Sequence, residues 1–165
     1  MSLVESCQHH LEQARSLALR LDAAELACAH ALCYGSSIGQ HLRHCVDHVE
    51  SFLNGLDDGR VDYDIRVRGL DWETRPEAAV ARIEANIRRL QRLSADESGK
   101  LLVKLDCGEM DAPWRTSTVG RELQFLVSHL VHHYAIVSIM CRSQGIDPGA
   151  EFGIAPSTLR HRASA

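Results

Sequence analysis

The sequence predicts an all-α protein, a four-helix bundle, on three observations. Four long stretches carry apolar residues at helical spacing. Only 5% of the residues are aromatic, while Leu and Ala are abundant, and this composition favours packed helices over a sandwich or barrel. The length of 165 residues suits one domain spanning 1–165, and a domain near that size buries roughly 70% of the surface its unfolded chain exposes.

The first helix is predicted from Ser2 to about Leu21, with Leu3, Cys7, Leu11, Ala14, Leu17, Ala18 and Leu21 on one stripe and Glu12 and Arg15 on the other side. Residues 22–35 hold enough Ala and Leu for short helical turns. Ser37-Ile38-Gly39-Gln40 reads as a capping box, in which a hydroxyl and an amide satisfy the first unpaired N–H groups of a helix. Behind it, Ile38, Leu42, Cys45, Val49, Phe52, Leu53 and Leu56 form the stripe of a second helix, about 37–56, which Asn54-Gly55 and Asp57-Asp58-Gly59 end. The charged stretch 59–73, with isolated Val61, Tyr63, Ile65 and Val67, is a long second crossover with a short extended piece. Thr74-Arg75-Pro76-Glu77 reads as another capping box, and Ala79, Val80, Ile83, Ile87, Leu90 and Leu93 give a third helix, about 75–94. Lys100–Leu105 and Trp114–Ser117 flank the loop Cys107-Gly108-Glu109-Met110-Asp111 as a small hairpin. The fourth helix starts near Ser117 or Thr118 and stops at Gly145, and 146–165, with two Pro and two Gly, is expected as an irregular arm.

The formal net charge of −4 argues against a nucleic-acid groove, which needs a concentrated basic surface. No basic-then-apolar leader and no unbroken run of eighteen apolar residues occurs, so the expectation is a cytoplasmic protein with no membrane partner. The six cysteines contain no CxxC pair and are expected as reduced thiols. Cys45 faces the apolar stripe, where a thiol is inert. Tyr34, Trp72 and Trp114 are expected to pack in the connections.

Ten histidines exceed the three or four that average usage gives, roughly, at this length. His41, His44 and His48 fall within roughly 60° of one another on the second helix. His129 and His133 stack one turn apart on the fourth, sharing a stripe with Glu122, Leu126, Val137 and Met140, while His132 sits on the flank. Two imidazoles on a core stripe must bind metal or hydrogen-bond, because an unpaired buried polar group costs roughly 1–3 kcal/mol. Their i, i+4 spacing opposite a second histidine-bearing helix favours a metal ion over a hydrogen-bonded core. For the third ligand, spacing prefers His48 or His41 to His44, though as a residue on its own His48 reads first as an exposed flank histidine. His9, His10 and His30 lack paired spacing and read as surface or helix-flank residues. Asp47 is a candidate orienting carboxylate, and Glu122 is a candidate base or orienter, or a favourable acid at a helix start. A haem bundle with one axial histidine from each helix is an alternative. So is a non-catalytic binding module with a hydrogen-bonded histidine core. A di-iron centre is disfavoured, since no Glu-x-x-His motif occurs on either helix.

Ser37-Ile38-Gly39-Gln40-His41-Leu42-Arg43-His44-Cys45-Val46-Asp47 followed by the HxxxH of His129 to His133 resembles the DinB-like (damage-inducible) four-helix metalloproteins, over residues 2–145. The resemblance implies an up-down-down-up bundle and a divalent ion, zinc or nickel, held by His44, His129 and His133, with a position left for water. It also implies a homodimer and a small-molecule substrate, in some relatives handled with a low-molecular-weight thiol in transferase or isomerase chemistry. A hydrolase is the other reaction type that such an ion supports. His41 and His48 depart from the family pattern and stand as possible accessory ligands.

Overall fold

The computed structural model describes residues 1–65, 71–94, 96–108 and 112–164. Val67 and the hairpin-loop residues Glu109, Met110 and Asp111 lie outside the described residues. Four long helices make the body: α1 (Leu3–Ala18), α3 (Ile38–Gly55), α4 (Pro76–Gln91) and α5 (Val119–Ser143). A short α2 (Ala23–Ala27) follows α1, and α6 (Pro156–Ala163) lies near the C-terminus. The predicted irregular arm thus contains a helix, started by Pro156, whose fixed φ suits a first helical turn.

Each bundle helix forms where its caps and stripe agree. Ser2 and Glu5 close a capping box on α1, a Ser-x-x-Glu signal legible in the sequence. Ser37 and Gln40 do the same for α3, as expected. The box expected at Thr74 is absent. Its hydroxyl donates to the Asp71 carbonyl of a preceding single turn, 71–73, and Arg75 becomes the uncapped start of α4. Thr118 caps α5, and beyond its end Gly145 takes φ 75°, the left-handed conformation that lets the Ile146 N–H reach the Cys141 carbonyl.

Helix α1 packs against α4 and α5, and α3 packs against the same two. The shared core holds Leu11, Leu17, Leu42, Phe52, Ile83, Leu90, Leu123, Leu126, Leu130 and Val137, all fully buried or nearly so. Over eighteen residues α5 is apolar enough to resemble a membrane span by length and composition, but here its apolar side faces α1 and α3.

The all-α expectation needs one correction: a three-stranded sheet lies beside the bundle. Strands β2 (Lys100–Lys104) and β3 (Arg115–Thr118) pair antiparallel, Lys100 opposite Thr118, as the predicted hairpin. Strand β1 (Arg60–Asp62), from the long crossover, joins β2 in parallel with Val61 opposite Val103. That parallel pair links segments about forty residues apart, and no local pattern encodes such a pairing. It fixes where the following residue, Tyr63, enters the core.

Candidate metal centre

Helix α3 turns its histidines toward α5, and the facing side chains meet there. A potential ligand nitrogen from each of His44, His48 and His129 lies within 4.8 Å of the others. The His48 and His129 rings stack, centred 4.0 Å apart at 22°. His44 contacts both, at 4.4 Å and 4.8 Å between centroids. The His133 ring is centred 4.5 Å from His44 and 4.5 Å from His129. His44 and His129 are therefore the centre of the group, with His48 and His133 to either side.

His48 differs from the exposed flank residue that the sequence suggested, being 4% exposed. The Tyr63 ring stacks on it at 5.2 Å and 16°, and Phe125 packs against both His48 and His129. The sheet that carries Tyr63 into the core is what buries His48. The His48 Nδ1 lies 3.0 Å from the backbone carbonyl of His44. A carbonyl accepts and does not donate, so Nδ1 carries the proton and the ring's lone pair is on Nε2. That is the tautomer of an imidazole ready to ligate a cation.

His41 points to the same helix. Its Nδ1 lies 2.9 Å from Nδ1 of His133, and its Nε2 lies 3.0 Å from the Ser36 hydroxyl. Burial, with the neighbouring His132 as a smaller contribution, lowers the proton affinity of His41 below the ordinary imidazole value. His132 itself is exposed, as expected.

The two carboxylates flagged in the sequence have separate surroundings. Glu122, 5% exposed, accepts hydrogen bonds from the Tyr63 hydroxyl (2.9 Å) and the Ser117 hydroxyl (2.5 Å). Burial and the adjacent carboxylate push the Tyr63 hydroxyl's pKa far up, so it remains a proton donor. Asp47 is ion-paired to Arg43, whose guanidinium also meets Glu73 at 2.6 Å. Gly39 permits that pairing, since a Cβ there would overlap the Glu73 carbonyl.

Other expectations are corrected. His10 is buried at 4% exposure and packs edge-on to Tyr134. Its place three residues after Cys7 and four before Ala14 on the buried stripe was the overlooked signal. Tyr34 is fully exposed, with φ 56°. Trp72 packs on the core, and Trp114 is partly exposed beneath the Arg60 guanidinium. Cys45 is buried as expected, and desolvation drives its thiol pKa well up, while that of Cys7 is pushed up to about 12. No functional reading attaches to Tyr63, Phe125 or Ser36 in the sequence, because their roles arise from crossings between distant segments.

Beside Glu122 a cavity of about 330 Å³ opens under the hairpin, lined by Val103, Leu105, Arg115, Ser117, Arg121 and Glu122 among others. The Arg121 guanidinium also lies over the Phe125 ring at 5.9 Å. Phe125 thus touches Arg121 of the cavity lining on one side and His48 and His129 on the other.

The donor set fits a divalent cation. Imidazole nitrogens suit zinc, nickel, copper and iron. Two neighbouring helices supply them, and at least His48 holds its lone pair on the distal nitrogen. Bonds of about 2.0–2.1 Å would require the three to draw in by roughly 1 Å, within the reach of side-chain rotation.

Known proteins were compared with this chain. The family model described as the DinB superfamily matches residues 7–137. The curated FK506-binding protein 5 of Rhizopus delemar is 32% identical over 104 residues, covering 61% of this chain. The chain spans 27% of the length of that relative. No solved structure matches.

Proposed function

The chain belongs to the DinB superfamily, and from that premise we propose that it binds one zinc or nickel ion through His44, His129 and His133 and uses it in transferase or hydrolase chemistry on a small molecule. The observation that carries the metal is the convergence of imidazole nitrogens from α3 and α5, those of His44, His48 and His129, within 4.8 Å. His133, outside that cluster of nitrogens, is taken as the third ligand because its ring is centred 4.5 Å from both His44 and His129. His48 offers a fourth nitrogen to the same space, clamped by Tyr63 and by its bond to the His44 carbonyl.

A divalent ion held by neutral imidazoles would keep its double charge and would supply Lewis-acid chemistry, lowering the pKa of a water or thiol and polarising a substrate oxygen. The protein's own groups prepare the surroundings. Phe125 and Tyr63 cover one side of the histidines and exclude water there. Glu122 anchors Tyr63, and Arg115 and Arg121 make the adjacent cavity attractive to an anionic small molecule. Burial holds the Cys45 and Cys7 thiols protonated, so neither serves as the nucleophile, and the thiol form of this chemistry takes a low-molecular-weight thiol from solution. The reading includes a homodimer and a cytoplasmic setting in which the six free cysteines stay reduced.

Zinc and nickel content and affinity of purified, untagged protein test it. His44→Ala and His133→Ala are each expected to reduce occupancy sharply, and His132→Ala to leave it unchanged. If His132 proves necessary and His44 dispensable, the assigned ligand set is wrong.

A further inference from the structure

We propose that His41 is a positioning residue for His133, and that Ser36 sets its proton, through a chain of hydrogen bonds that can run in one direction only. The inference rests on the metal site proposed above and adds to it two residues outside the ligand set.

The chain starts at the Cys33 carbonyl, which can only accept. The Ser36 Oγ lies 2.6 Å from it, a distance typical of an O–H···O bond, so the hydroxyl proton lies between the two oxygens. A hydroxyl has one proton. Toward His41 Nε2, at 3.0 Å, Ser36 therefore presents a lone pair, and the proton of that bond is on His41 Nε2. A neutral imidazole has one ring proton, which leaves His41 Nδ1 bare. At 2.9 Å from His133 Nδ1, the bare nitrogen must accept, so His133 carries its proton on Nδ1. The lone pair of His133 is then on Nε2, the nitrogen distal to His41. The opposite arrangement would set two lone pairs against each other at one of the three contacts.

The consequence is that His133 is held in the ligating tautomer by an outer partner, as metal-bound histidines ordinarily are. The anchor of the relay is the turn that precedes α3, where His30 and Ser36 pair and Tyr34 takes a left-handed backbone. His48 reaches the same tautomer through the carbonyl of His44. Two ligand-bearing helices thus carry imidazoles whose protons are assigned by the fold.

The experiment has two readouts. Long-range ¹H–¹⁵N spectra of metal-free protein report the tautomer of His133 directly, and competition with a chelator reports zinc affinity. In the wild type His133 is expected as the Nδ1–H form. His41→Ala is expected to lose that preference and to weaken zinc about 10–100-fold. Ser36→Ala, milder for folding, should mix the tautomers and weaken zinc severalfold, and Ser36→Thr should restore both. An Nε2–H His133 in the wild type overturns the relay, as does unchanged zinc affinity in both His41→Ala and Ser36→Ala. If His44→Ala retains full zinc affinity, it is the metal-site assignment that fails, while the tautomer spectra still decide the relay.

Discussion

Removing the hydroxyl of Tyr63 tests how the sheet supports the histidine layer. Tyr63 is 2% exposed, and its hydroxyl donates at 2.9 Å to Glu122, which is 5% exposed and has Ser117 as its other side-chain donor. Tyr63→Phe keeps the ring that stacks on His48 and takes away one of the carboxylate's two hydroxyl donors. A hydrogen bond to a charged group contributes about 1.5–3 kcal/mol. At this chain length each kcal/mol moves Tm by about 2–4 °C, so the melting point should fall by roughly 3–12 °C. In a Glu122→Gln background the acceptor is neutral, and the same deletion should cost only about 0.5–1.5 kcal/mol. The two changes should therefore be non-additive by about 1 kcal/mol in a double-mutant cycle. Thermal and urea unfolding of the four proteins at neutral pH provide the assay. A Tyr63→Phe variant melting within 1 °C of wild type (set here by the ~3 °C lower bound), or strict additivity, would refute the reasoning.

Three further outcomes follow from burial. Desolvation lowers the pKa of His10 in the folded state, so the unfolded chain binds that proton more readily and stability must fall as pH drops below about 6.5, the ordinary histidine value. In urea titrations of metal-free protein, His10→Leu should lose less stability over that acid window than wild type, and parallel curves would contradict it. Gly39→Ala puts a methyl into the Glu73 backbone and should cost about 1–3 kcal/mol by denaturant unfolding, with a loss under half of that lower bound counting against the close approach. Alkylation of native protein should label the exposed Cys28 and Cys107 and spare Cys7, Cys45 and Cys141, which are buried. Fast labelling of Cys45 by mass spectrometry would reopen it as a nucleophile.

The parts of the structure legible in the sequence are those set by local chemistry. Ser37 with Gln40 announced α3, and the Leu, Ile and Val stripes announced all four bundle helices, because caps and 3.6-residue periodicity act within a few turns. The short extended piece of the crossover was legible, but its pairing as strand β1 was not, since its partner β2 begins forty residues later. The same gap hid the environment of His48. On a helical wheel it borders the apolar stripe, and only the arrival of Tyr63 and Phe125 decides that it is buried. The HxxxH of α5 was visible from spacing, which preferred His48 or His41 over His44 as the third ligand, whereas His44 sits at the centre of the group. What separates their roles is the set of partners each nitrogen meets: a helix carbonyl for His48, and Ser36 and His133 for His41. Those partners belong to tertiary structure.

The claim that His44, His129 and His133 hold one metal ion is tested most directly by anomalous scattering from crystals of protein loaded with zinc or nickel. The account predicts a single strong peak between α3 and α5, with nitrogens of those three residues at about 2.0–2.1 Å and His48 adjacent. A peak elsewhere, or one between α3 and α5 that lacks His44 or His133, would contradict it.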